Sequence, residues 1–134
     1  MNRIIKIWFD GDQLYGLGDD GRTYRQSLLW YPHLKFATPQ EREKYEFSTI
    51  GIHWPALDED VSFESFLYED AQPSRLQTFF LTHPEINVSG FARKYGFNAC
   101  LLRSYINGFK KPSPAREQEI LACIKNLGRE LADY

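Results

Sequence analysis

Residues 87–112, NVSGFARKYGFNACLLRSYINGFKKP, constrain the fold more than any other stretch of this 134-residue chain. Two asparagines each precede a run with helical spacing, and a glycine closes each run. Asn87 caps a helix to Tyr95 with Gly96 as its stop, and Asn98 caps one to Asn107 with Gly108 as its stop. An asparagine side chain satisfies free N–H groups of a first turn, and glycine takes the left-handed conformation that ends a helix. Phe91 and Ala92 in the first helix, and Leu102 with Tyr105 or Ile106 in the second, are the inward positions. Ala92 is small enough to let the helices approach closely. Two short helices about a tight turn, followed by a basic loop, form a helix-turn-helix pattern, which places its second helix in a DNA groove. The outer face of that helix carries Ala99, Cys100, Arg103 and Asn107.

The flanking segments extend the helical region. Ser74 caps a helix to about Thr82, and Pro84 marks its end. Ser113-Pro114 begins a last helix whose stripe Ile120, Cys123, Ile124, Leu127 and Leu131 faces a core. Charge changes along with period. Residues 1–72 carry 7 Lys+Arg against 13 Asp+Glu, a net −6, whereas residues 73–134 carry 9 against 5, a net +4. A basic domain beside an acidic one fits a polyanion-binding module joined to a domain with another task.

The first half reads as strands and turns. Strands are expected over 3–9, 13–17 and 23–28, separated by Asp10-Gly11-Asp12 and Asp19-Asp20-Gly21-Arg22. Thr38-Pro39-Gln40-Glu41 has the residues of a capping box with proline at the first helical position. Residues 45–52 return to β-type side chains. Asp58-Glu59-Asp60 reads as an acidic helix entrance, with Ser62 capping a helix through Phe63, Phe66 and Leu67. Residues 69–74 are polar and contain Pro73, as a linker would. The fold class is therefore α+β: a small antiparallel β-meander with short helices in an acidic domain over 1–70, then an all-α basic domain over 71–134.

The helical half, over roughly residues 74–131, resembles the lambda-repressor-like (Xre/Cro type) DNA-binding domains. Phe91-Ala92, Gly96, Leu102, Gly108, Lys110-Lys111 and Pro112 stand at that family's landmarks without a gap. The resemblance implies that Ala99, Cys100 and Arg103 face DNA bases and that Asn107, Lys110 and Lys111 contact phosphates. It also implies duplex DNA as partner and two-fold pairing into a homodimer. One departure matters: the family's first groove positions are usually polar, and Ala99 and Cys100 cannot make bidentate bonds to base edges. In the first half, Trp30-Tyr31-Pro32 and the later string GIHWPALDEDVS (residues 51–62) resemble the domain of unknown function 2442, over about residues 1–68. That resemblance implies a small α+β domain, in some members joined to a lambda-repressor-like domain, in others an antitoxin-like partner of a small protein.

Several classes are disfavoured. No apolar run approaches the roughly 20 residues of a membrane span, and the N-terminus turns polar too soon for a signal peptide. Cys100 and Cys123 are too few for a disulfide framework or zinc motif and read as reduced, partly buried thiols of a cytoplasmic protein. His53 with Asp58, Glu59 and Asp60 is a weak metal or proton-transfer cluster, and His33 and His83 adjoin prolines in turns. No phosphate loop or nucleophile-base ordering is present. The expectation is a non-enzymatic DNA-binding regulator without metal or cofactor, whose acidic domain makes a protein contact. The alternative is an antitoxin-like interaction module that keeps the helices as scaffold.

Overall fold

The computed structural model describes residues 1–134, which divide into two compact units, Met1–Pro73 and Ser74–Tyr134. The chain is α+β, with two small three-stranded antiparallel sheets and six α-helices.

In the first unit β1 (Ile4–Asp10), β2 (Gln13–Gly18) and β3 (Thr23–Ser27) form a meander in the order β1-β2-β3. Gly11 supplies the positive φ, 57°, that the two-residue turn after β1 requires. The next turn is held by Asp20, whose carboxylate accepts from the Tyr24 hydroxyl at 2.6 Å and the Arg22 N–H at 3.0 Å. The Tyr24 bond is the main reason its pKa lies below the ordinary carboxylate value. A register shift between Ile4 and Lys6 lets Ile4 and Ile7 both turn inward despite their odd spacing. Trp8 and Tyr15, directly opposed, stack on the outer face with ring centroids 5.6 Å apart.

Two short helices follow, α1 (Pro32–Lys35) and α2 (Pro39–Arg42). The capping box is formed: Thr38 Oγ1 accepts from the Glu41 N–H and Glu41 Oε1 from the Thr38 N–H. A second sheet, β4 (Glu46–Phe47), β5 (Gly51–Trp54) and β6 (Glu59–Ser62), corrects the reading of the acidic run. Asp58 takes a left-handed turn conformation, and Glu59 and Asp60 enter a strand paired with β5 rather than a helix. In place of the expected helix stands a 3-10 turn, Glu64–Leu67, with Phe63 and not Ser62 at its N-cap, although Ser62 Oγ accepts from the Ser65 N–H. The strands are four residues long, too short for period two to outweigh the helical spacing of Phe63, Phe66 and Leu67. The core gathers Ile4, Leu14, Leu28, Leu34, Ile52, Val61 and Trp54, whose indole N–H donates to the Arg42 carbonyl. The expected linker is structured up to its end: Ala71 is buried and the Trp30 indole donates to the Asp70 carbonyl.

The second unit consists of α3 (Arg75–Thr82), α4 (Val88–Tyr95), α5 (Ala99–Asn107) and α6 (Pro114–Ala132). Each begins with a side-chain cap, from Ser74, Asn87, Asn98 and Ser113 respectively. Leu76, Phe80, Phe91, Ala92, Leu102, Ile106, Ile120 and Leu121 form the core. Buried Gln77 closes a capping box with Ser74 while its amide donates to the Tyr105 carbonyl, tying α3 to the end of α5. Of the expected α6 stripe, Ile120 is buried and Cys123, Ile124 and Leu127 pack at the margin. Leu131 departs from it and is 57% exposed, because the 19-residue helix runs on past the core.

Candidate nucleic-acid interface

The geometry of α4 and α5 is fixed by the turn between them. Gly96 adopts φ 78°, and the Phe97 N–H returns to the Ala92 carbonyl at 2.8 Å. The Gly96 N–H donates to the same carbonyl, so two bonds close the end of α4, and Phe97 folds back to pack against Phe91. Asn98 then accepts from the Leu101 N–H and starts α5. Ala92 is fully buried beneath this turn, alongside Leu102 of α5.

On α5, Cys100, Arg103 and Asn107 are exposed and lie three and four residues apart, so they form one outward stripe. Ala99 does not share it fully: it packs half-buried against the helical core. Cys100, expected partly buried, is exposed because its position falls opposite Leu102 and Ile106. The stripe runs into the turn after Gly108, where Lys110 and Lys111 are exposed and the Lys110 N–H bonds the Ser104 carbonyl. Phe109, between Gly108 and the two lysines, is 83% exposed.

One partner was not legible from spacing. The Arg103 guanidinium donates to the Ser89 hydroxyl on α4, which pins the longest side chain of the stripe to the preceding helix. Ser89 lies fourteen residues away, and no local pattern pairs them. The electrostatics are one-sided. From Ile86 to Arg116 the sequence holds six Lys+Arg and no Asp or Glu. Lys94 and Arg116 are neutralised by Glu130 and Glu119 of α6, which leaves Arg93 and Arg103 among the cations with no acidic neighbour. The Glu130 hydrogen bond raises the Lys94 pKa, and the same bond lowers that of Glu130.

Two carboxylates of the acidic run face histidines, one across the second sheet and one on α1. His53 Nδ1 lies 2.6 Å from Asp60 Oδ1, its cross-strand partner, and His33 Nδ1 lies 3.8 Å from Glu59. Desolvation raises the Glu59 pKa, with His33 opposing it. Asp58 belongs to neither pair. His83 ends α3, its Nδ1 2.9 Å from the Phe79 carbonyl.

Fold and surface thus define a protein of two units, an acidic α+β unit and a basic four-helix unit, with no helix long and apolar enough to cross a membrane. The chain belongs to the family described as Protein of unknown function (DUF2442), whose pattern matches residues 4–81, more than half of the sequence. The match takes in the whole first sheet, the second sheet and nearly all of α3. No curated protein and no solved structure matches the chain.

Proposed function

We propose that this chain is a DNA-binding protein, a transcriptional regulator that uses α4 and α5 as a lambda-repressor-like (Xre/Cro type) helix-turn-helix. The observation that carries the reading is the acid-free stretch Ile86 to Arg116, which places an exposed stripe and a basic turn on one element pair. Arg103 would read a guanine edge, already oriented by Ser89, and a bidentate contact of that kind discriminates bases by about 1–3 kcal/mol. Cys100 and Ala99 would offer apolar contact to a thymine methyl, Ala99 less so for its partial burial. Asn107, Lys110 and Lys111 would contact phosphates and set the register. The first unit would supply a protein contact.

The test is selection of bound sites from a randomised duplex pool by the full chain, beside the Arg103→Ala, Lys110→Ala, Lys111→Ala variant. The expected result is a two-fold motif that the variant fails to enrich. Affinity should fall steeply with salt, each phosphate contact adding about −0.9 to the logarithmic slope. No enrichment at low salt would sink the reading. The antitoxin-like interaction module would then be the reading to test, and charge reversal in Asp58-Glu59-Asp60 would be the substitution that matters.

A further inference from the structure

The first sheet leaves the edge of β1 without a partner strand. The sheet order is β1-β2-β3, so β1 is hydrogen-bonded on one side only. In a hairpin with two loop residues the pair flanking the loop, Asp10 and Gln13, faces inward. The N–H and C=O groups of Ile7 and Phe9 therefore point away from β2. Beyond the ladder, the backbone bond made along this strand's start is the Arg3 carbonyl to Asp19, and none reaches Ile7 or Phe9. Beside this edge lies a groove of about 570 Å³, lined by Ile7, Trp8 and Phe9 on one side and Pro39, Arg42 and Tyr45 on the other. Buried strand edges are normally paired or covered, and an uncovered one is a template for another strand.

We propose that two copies of the chain associate through antiparallel pairing of β1 with β1 across a two-fold axis at Trp8. The side chains select the register. With Trp8 opposite its own copy, Ile7 lies opposite Phe9, so the outward backbone groups meet as hydrogen-bonded pairs. Lys6 then falls opposite Asp10 on both sides of the axis, and both residues are exposed. Opposite charges directly across a strand pair stabilise it, and like charges destabilise it. Moving the axis to Ile7 would set Lys6 against Trp8 and lose both charge pairs. Trp8, 37% exposed and already stacked on Tyr15, would meet its copy on the outer face, joining two stacked pairs into one aromatic row. The irregularity between Ile4 and Lys6 ends the regular edge at Lys6, which limits the pairing to residues 6–10. A two-fold contact is self-complementary by necessity, and this strand carries its cation and its anion symmetrically about one residue.

The inference concerns the first unit and stands whether or not the second binds DNA, so it is tested without DNA. Sedimentation equilibrium of the full chain should give a species of twice the 15.7 kDa chain mass. Lys6→Asp and Asp10→Lys should each weaken association by roughly tenfold or more, by turning two attractive pairs into repulsive ones. The double exchange Lys6→Asp with Asp10→Lys should restore it, which no misfolded variant would do. A monomer at every concentration overturns the proposal. So does a dimer indifferent to the single charge reversals, or one that the double exchange fails to rescue.

Discussion

A methyl group added at Gly51 would run into the Val61 carbonyl oxygen and lie 2.9 Å from the Ser62 Cα, both backbone atoms that cannot swing aside. Gly51 is buried and pairs with Ser62 across the sheet, so alanine there forces the two strands apart. Gly51→Ala is expected to cost about 3 kcal/mol. The same change elsewhere has a different size or sign. At Gly96 there is space but φ is 78°, and alanine should cost about 1–2 kcal/mol. At Gly128, inside α6 with nothing within 4 Å, alanine should stabilise by about 0.5–1 kcal/mol. Urea titration separates the cases, because Trp8, Trp30 and Trp54 all lie in the first unit and report on it by fluorescence. Helical circular dichroism follows α4 and α6. Equal shifts at the three glycines would refute the steric argument.

Among the elements, the ends of helices were the easiest to read and the short strands the hardest. Asn87, Asn98, Ser74 and Thr38 announce their caps because capping is local, spanning three residues. β5 was anticipated only as far as Ile52 and β6 not at all, because four residues give too little periodicity and the acidic run before Ser62 imitates a helix entrance. Candidate site residues followed the same rule. Cys100, Arg103 and Asn107 fall on one face as helical spacing dictates, while the partial burial of Ala99 and the Arg103–Ser89 bond depend on how α4 sits over α5. The contact of Lys94 on α4 with Glu130 on α6 is likewise tertiary, and it has a pH signature. The Glu130 pKa is lowered in the folded state, so its contribution is full above the ordinary glutamate value. It is lost as pH falls through the lowered one. The Lys94 pKa is raised, so its contribution is full below the ordinary lysine value and is lost only as pH rises through the raised one. Thermal melts of the chain and of Glu130→Gln should therefore differ by a constant, small amount near neutrality. The difference should vanish toward strong acid and shrink with added salt, since both groups are exposed. A difference that persists in acid would mean that the pair contributes by packing and not by charge.

For the whole molecule, the net −6 of one half and +4 of the other bear on DNA binding in a way that the β1 pairing makes testable. Lys6 and Asp10 sit in the acidic unit, far in sequence from Arg103 and the two lysines. If they influenced DNA only through total charge, Lys6→Asp would weaken binding and Asp10→Lys would strengthen it, since one variant makes the net charge more negative by two and the other more positive by two. If DNA is bound by a pair of chains joined through β1, both single variants must weaken binding. Each then has to assemble its partner on the DNA at the cost of the lost association, about tenfold for every 1.4 kcal/mol. The double exchange leaves the net charge at its original −2 and should recover the affinity of the unaltered chain. Titration of a selected duplex by fluorescence anisotropy, at fixed salt and at chain concentrations below the dimer midpoint, separates these outcomes. Opposite shifts for the two single variants would show that charge acts at a distance and that the chains engage DNA without pairing through β1. Parallel losses with recovery in the double variant would make the strand edge part of the DNA-binding machinery.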